Sequence, residues 1–140
     1  MVLVEIIPNL WISNNNKISS NMNSLYNIKH IINTNKDLQN FNIHQKYNHD
    51  LRERMLKYEN TKKTEYFKEC INFINNNINK NGILIYCKNL EFNVIIILIY
   101  LIIYGKLNFD IALNIIKSKI DSIIVVNDNY LKLIKYICKI

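Results

Sequence analysis

The feature that most constrains this chain is one short unit. Gly82 is followed by four apolar residues, Ile83-Leu84-Ile85-Tyr86, then by Cys87, a polar loop from Lys88 to Glu91, and an apolar run from Phe92 to Tyr104. An unbroken apolar tetrad reads as a strand buried on both faces, and so as the centre of a sheet. The longer run reads as a helix buried inside the domain, with Gly105 as its C-terminal cap. Its wholly apolar part, Val94 to Tyr104, is about 11 residues long, whereas crossing a bilayer takes roughly 20. No membrane span is therefore expected. A strand that feeds a helix through a short loop places that loop at the helix N-terminus. There the free N–H groups and the dipole favour an anion. Cys87 stands in that loop, and the same field can depress a thiol pKa and make a nucleophile. The plainer alternative for Cys87 is a small buried residue at a strand end.

The rest of the chain supplies the partners of this unit. Val2 to Ile7 is β-rich and is ended by the turn signal Pro8-Asn9, so Leu10 to Ser13 is expected as a second strand paired back on the first. Ser19 to Tyr26 fits a short helix or structured loop, and His30 to Asn33 a buried strand. Residues 34–50 are polar and rich in Asn, Gln and His, and are expected to be loop. Arg52 to Tyr58 alternates as a strand would. Helix is predicted from Lys62 to Asn79, because Tyr66, Phe67, Cys70, Ile71, Ile74 and Ile78 fall on one face. The Asn run and Gly82 end it. Phe109 to Lys119 is a further amphipathic helix with Ile111, Ala112, Ile115 and Ile116 inward. A last helix runs from Asn127 or Asp128, either a good N-cap, to Cys138, with Tyr130, Leu133, Ile134 and Ile137 as its buried stripe. This order predicts one α/β domain over residues 1–140, with a central mixed sheet of about five strands flanked by helices.

Composition narrows the function. At 140 residues and 49% hydrophobic, the chain can bury one real core. Its formal charge of +7 could attract nucleic acid or acidic partners, but the lysines are dispersed and form no long basic run. A nucleic-acid surface is not expected. Cys70, Cys87 and Cys138 form no metal-binding spacing, and no cofactor or metal is expected. The opening MVLVEIIPNLW lacks a basic region and a cleavage site, so no leader is expected. With an odd cysteine count, this argues for a reducing compartment: the cytoplasm, or the host cytoplasm for a viral chain. The abundance of Asn, Ile and Lys suits an AT-rich viral or protozoan genome.

The segments EIIPNLWIS, KHIINTN, TEYFKECINFINNNINKNGILIYC and DNYLKLIKYI, in that order and spacing, resemble the dual-specificity protein phosphatases, including compact poxvirus-type members. The resemblance covers nearly the whole chain and implies that family's fold. Its signature is His-Cys, five residues, then Arg and Ser or Thr, with Gly three residues after the Cys. This sequence keeps Cys87 but has Tyr86 for the His, Leu90 for the Gly, Asn93 for the Arg and Val94 for the Ser or Thr. The intervening Lys88, Asn89, Glu91 and Phe92 complete a degenerate phosphate loop.

Each replacement removes a chemical group. Arg presents a charged, bidentate fork to phosphate, which a short neutral Asn cannot reproduce. Gly permits N–H groups to converge on an anion, so a branched Leu90 is expected to be strained there. Glu91 adds a negative charge beside the expected phosphate position, and Val94 removes a hydroxyl. The resemblance implies a general-acid Asp roughly 30 residues before the Cys. Glu59 is the carboxylate nearest that position, and a solvated helix-entrance Glu is the competing reading.

The expected function is a catalytically inactive phosphatase-like protein that binds a protein partner, with phosphoproteins among the candidates. One alternative is an active or weakly active cysteine phosphatase in which Lys88 supplies the missing charge. Another is a basic structural or nucleic-acid-binding module. The sequence is silent on oligomeric state.

Overall fold

The computed structural model describes residues 3–14, 26–33, 44–47, 60–86, 90–120, 124 and 126–140. Within them, strands β1 (Val4–Ile7), β2 (Leu10–Ser13), β3 (Ile28–Asn33), β4 (His44–Tyr47) and β5 (Gly82–Tyr86) form one mixed sheet in the order β1-β2-β5-β3-β4. Helices α1 (Asn60–Asn77), α2 (Leu90–Ile103), α3 (Phe109–Lys119) and α4 (Asp128–Cys138) complete the described elements.

The Pro8-Asn9 turn folds β2 back on β1 in antiparallel register, with Val4 opposite Ile12. Asn9 takes φ 72°, the left-handed region that Asn tolerates better than other side chains. Its backbone N–H donates to a Glu5 carboxylate oxygen at 3.1 Å, and its side-chain amide donates to the Ile78 carbonyl at 2.8 Å. The turn is thereby fastened to the chain leaving α1.

β5 is the central strand the apolar tetrad predicts. It pairs in parallel with β2 on one side and β3 on the other, and all five of its residues are buried. Its alternation feeds two cores. Ile83 and Ile85 join Leu10, Ile12 and Ile32 under the four helices, while Leu84 and Tyr86 join Ile28 and Ile31 on the opposite face. Each fully buried aliphatic side chain is worth about 1.5–3 kcal/mol, so β5 concentrates stabilisation in a few residues. Gly82 opens β5 where the backbones come close. Its N–H donates to the Asn27 carbonyl at 2.8 Å, and a Cβ there would lie 3.0 Å from that oxygen.

α2 is buried from Asn93 through Ile102, the pattern of a helix enclosed on every side. α1 buries Phe67, Cys70, Ile71 and Ile74 as its periodicity predicts, and the Tyr66 side chain lies outside the described set. No helix among the described residues is long and apolar enough to cross a membrane.

Several expectations are corrected. The polar stretch 34–50 is not all loop, because His44–Tyr47 forms β4 at the sheet edge, parallel to β3. A strand with one neighbour need not be apolar. α2 begins at Leu90 rather than Phe92, so Leu90 and Glu91 belong to its first turn and not to the preceding loop. Leu90 is not among the residues with positive φ, so the strain expected of a branched residue there is absent. Gly105 does not adopt the left-handed cap; Lys106 does, at φ 58°. Ile111 is 49% exposed, while Ala112, Ile115 and Ile116 pack inward as expected and are joined by Leu113 and Phe109. The expected helix or loop at 19–25 and the strand at 52–58 lie outside the described residues.

Candidate functional site

Three parallel strands end at one level. Tyr86, the last residue of β5, is paired with Ser13 at the end of β2 and with Asn33 at the end of β3. In open α/β sheets, ligands bind beyond the carboxyl ends of such strands. β5 ends there at Tyr86, and α2 begins at Leu90. Cys87, Lys88 and Asn89 lie outside the described residues, as does Glu59, which directly precedes α1. The geometry available is that of the surroundings: the strand ends and the first turn of α2.

That first turn carries a carboxylate and no cation. Its residues are Leu90, Glu91, Phe92 and Asn93. Glu91 faces the positive end of the helix dipole, which stabilises it. One of its carboxylate oxygens accepts the backbone N–H of Asn127 at 3.4 Å. Asn127 is the N-cap of α4 and accepts the Tyr130 N–H at 3.0 Å. The Tyr130 ring meets Phe92 edge-on, with centroids 5.7 Å apart. The start of α2 is thus tied to the start of α4 by a polar link and an aromatic one. This gives Glu91 a structural task that its charge alone did not suggest. An Asn preceding a helical stripe was the available signal for half of that link; the Glu91 end had none.

Asn93 is completely buried. Its side-chain N–H donates to the Ser13 carbonyl at 3.2 Å, joining α2 to the end of β2 across 80 positions of sequence. Its buried Oδ1 has no hydrogen-bond partner among the described residues. The amide is neutral. The two arginines of the chain, Arg52 and Arg54, lie outside the described residues. Val94, the next residue, is 1% exposed and belongs to the helix-side core.

The other cysteines are not nucleophiles in waiting. Cys70 is buried in the core. Burial pushes the Cys138 thiol up to about 11, away from the thiolate form that reacts. Tyr100, deep in α2, has its phenol raised, first by burial and second by Tyr104. Among the described residues no three His, Cys, Asp or Glu side chains come together as a metal site.

The sequence from 10 to 137 matches the family model for the catalytic domain of the dual specificity phosphatases. No curated protein matches the chain. Among solved structures, it is similar to a leucine rich repeat and phosphatase domain containing protein from Entamoeba histolytica, with 20% identity and a TM-score of 0.72, covering 99% of this chain and 91% of that one. It is also similar to human DUSP28, with 12% identity and a TM-score of 0.63, covering 99% of this chain and 94% of that one. At these identities the likeness carries the fold alone.

Proposed function

The chain belongs to the dual-specificity phosphatase family, and from that premise we propose that it is a member without phosphatase turnover that acts by binding a protein partner. The observation that carries this reading is Asn93. It stands where the family signature has Arg, is buried, and donates to the Ser13 carbonyl. A guanidinium at that position would hold phosphate oxygens through two charged hydrogen bonds. The amide supplies no charge.

The neighbours act in the same direction. Glu91 brings the only charge in the first turn of α2, and it is negative. Val94 is a core residue with no hydroxyl to assist a departing thiolate. Losing one transition-state donor of this kind costs roughly a hundred- to a thousandfold in rate. Loss of the Arg together with the hydroxyl therefore removes several powers of ten. A fold kept without its chemistry is left with its surface, so the functional reading moves to binding, with phosphoproteins one class of partner.

The experiment is a phosphatase assay on the purified full chain with an aryl phosphate and with phosphotyrosine and phosphoserine peptides. The expected result is turnover indistinguishable from that of Cys87→Ser. Turnover that Cys87→Ser abolishes would overturn the proposal.

A further inference from the structure

Helix α4 has a second face that the fold does not use. One side, Ile134 and Ile137 with partly buried Tyr130 and Leu133, packs into the core against α1 and α2. The other carries Lys132, Lys135, Tyr136 and Lys139, all exposed. Lys132, Lys135 and Tyr136 lie on one stripe of the helix, with neighbours three and four positions apart about 5–6 Å from each other, and Lys139, the left-handed C-cap, follows at its end. The stripe rises about 10 Å along the helix. Tyr136 is 70% exposed, the most exposed large hydrophobic side chain among the described residues, and it sits between lysines. Ile140, 59% exposed, follows at the helix end.

Core packing does not explain this arrangement, since the four side chains contribute nothing to it. An aromatic ring flanked by three ammonium groups offers an apolar anchor with a cationic surround. The complementary surface is acidic, with an apolar group near its middle. Three classes of polyanion could meet it, and the surroundings choose among them. Asp128 closes the stripe at its N-terminal end, one turn before Lys132. A long nucleic acid would run past the stripe onto this carboxylate. The apolar face of α4 is committed to the core, so the helix cannot lie in a bilayer interface. A short acidic segment of a protein spans the stripe without reaching it.

We propose that the Lys132–Lys135–Tyr136–Lys139 face of α4 is a docking surface for an acidic segment of a partner protein. Its use does not depend on the loss of turnover at the α2 N-terminus.

The test is fluorescence-anisotropy titration of the full chain with a labelled Glu-rich peptide containing one central Leu, over a range of salt. Parallel titrations use single-stranded RNA and phosphatidylserine vesicles. Exposed ion pairs are individually weak, so reversing three should weaken peptide binding by about tenfold or more. K132E/K135E/K139E is therefore expected to lose binding and its salt dependence, and to gain binding to the corresponding Lys-rich peptide. Tyr136→Ala is expected to weaken the Glu-rich peptide with the salt dependence retained. All four positions are exposed, and an unchanged circular dichroism spectrum verifies the variants' folding. Absence of peptide binding, equal binding by wild type and triple variant, or tighter binding of RNA or vesicles would each overturn the proposal.

Discussion

Asn93 concentrates the chemical change in one side chain. Its N–H fastens the Ser13 carbonyl while its buried Oδ1 has no partner among the described residues. Changing it to Asp keeps the size and replaces the donor with a second acceptor facing the carbonyl. Asn93→Asp is therefore expected to destabilise the fold by about 3 kcal/mol at neutral pH, since it combines a broken bond with a buried charge. The pH dependence has a definite sign. Burial and the opposed carbonyl raise the folded-state pKa of the new carboxyl above its unfolded value of about 3.9. Below that value the acid is protonated in both states and can donate to Ser13, so the deficit is small. As pH rises through the unfolded pKa, the unfolded chain releases its proton first and stability falls. Urea denaturation at acidic and neutral pH measures this, and a deficit equal at both would show that the Asn93 bond is not what matters. The substitutions at 90, 93 and 94 could be read in sequence as missing groups. That Asn93 had been reassigned to β2 could not, because its partner is 80 positions away and is a backbone carbonyl.

At the scale of elements, the ends were harder to read than the middles, and the turn after α2 shows why. Gly105 looked like a left-handed cap because glycine is the usual occupant of that conformation. The left-handed residue is instead Lys106, and Gly105 is needed for space: a Cβ would stand 2.5 Å from the Leu101 carbonyl oxygen. This separates two neighbouring substitutions. Gly105→Ala should destabilise by about 1–3 kcal/mol, the usual cost of forcing extra atoms into a packed site. Lys106→Gly should stabilise by about 0.5 kcal/mol, because relief of the left-handed penalty slightly exceeds glycine's added entropy cost. Thermal or urea unfolding of the two variants tests the assignment, and a stabilised Gly105→Ala would reverse it. The interiors of α1 and α4 were legible because burial imposes a period on their apolar residues, and β5 because burial on both faces makes it an unbroken apolar run. β4 was not, since His44–Tyr47 bonds to one neighbour through its backbone and its sequence carries no such period. The first turn of α2 was missed for a related reason. Leu90 and Glu91 precede the apolar run, and helix starts are marked by hydrogen bonding that composition does not record.

For the whole molecule, β5 joins two cores that no described side chain shares. Ile83 and Ile85 face the helices; Leu84 and Tyr86 face the other side with Ile28 and Ile31, against which Trp11 packs. Trp11 is the only tryptophan and its ring meets Tyr26 at a tilt of 51°, centroids 5.0 Å apart, so its fluorescence reports the second face, while the helical signal in circular dichroism comes mainly from the first. The two probes test whether the sheet transmits stability between its faces. Every backbone bond that holds β5 to β2 and β3 belongs to both cores at once, so neither can lose its floor alone. Small domains of this size usually unfold in one step, and here the shared strand is the physical reason. The two denaturation curves are expected to coincide. Leu84→Ala, at a position with no solvent exposure on the Trp11 side, should shift both curves by the same 2–5 kcal/mol or so that a buried leucine typically costs. A shift confined to the fluorescence curve would mean that the second face melts separately. The candidate site lies where the three parallel strands end, so its shape would then depend on one face and not on the whole sheet. A common shift would instead mean that any substitution in either core loosens the Ser13–Asn93 tie.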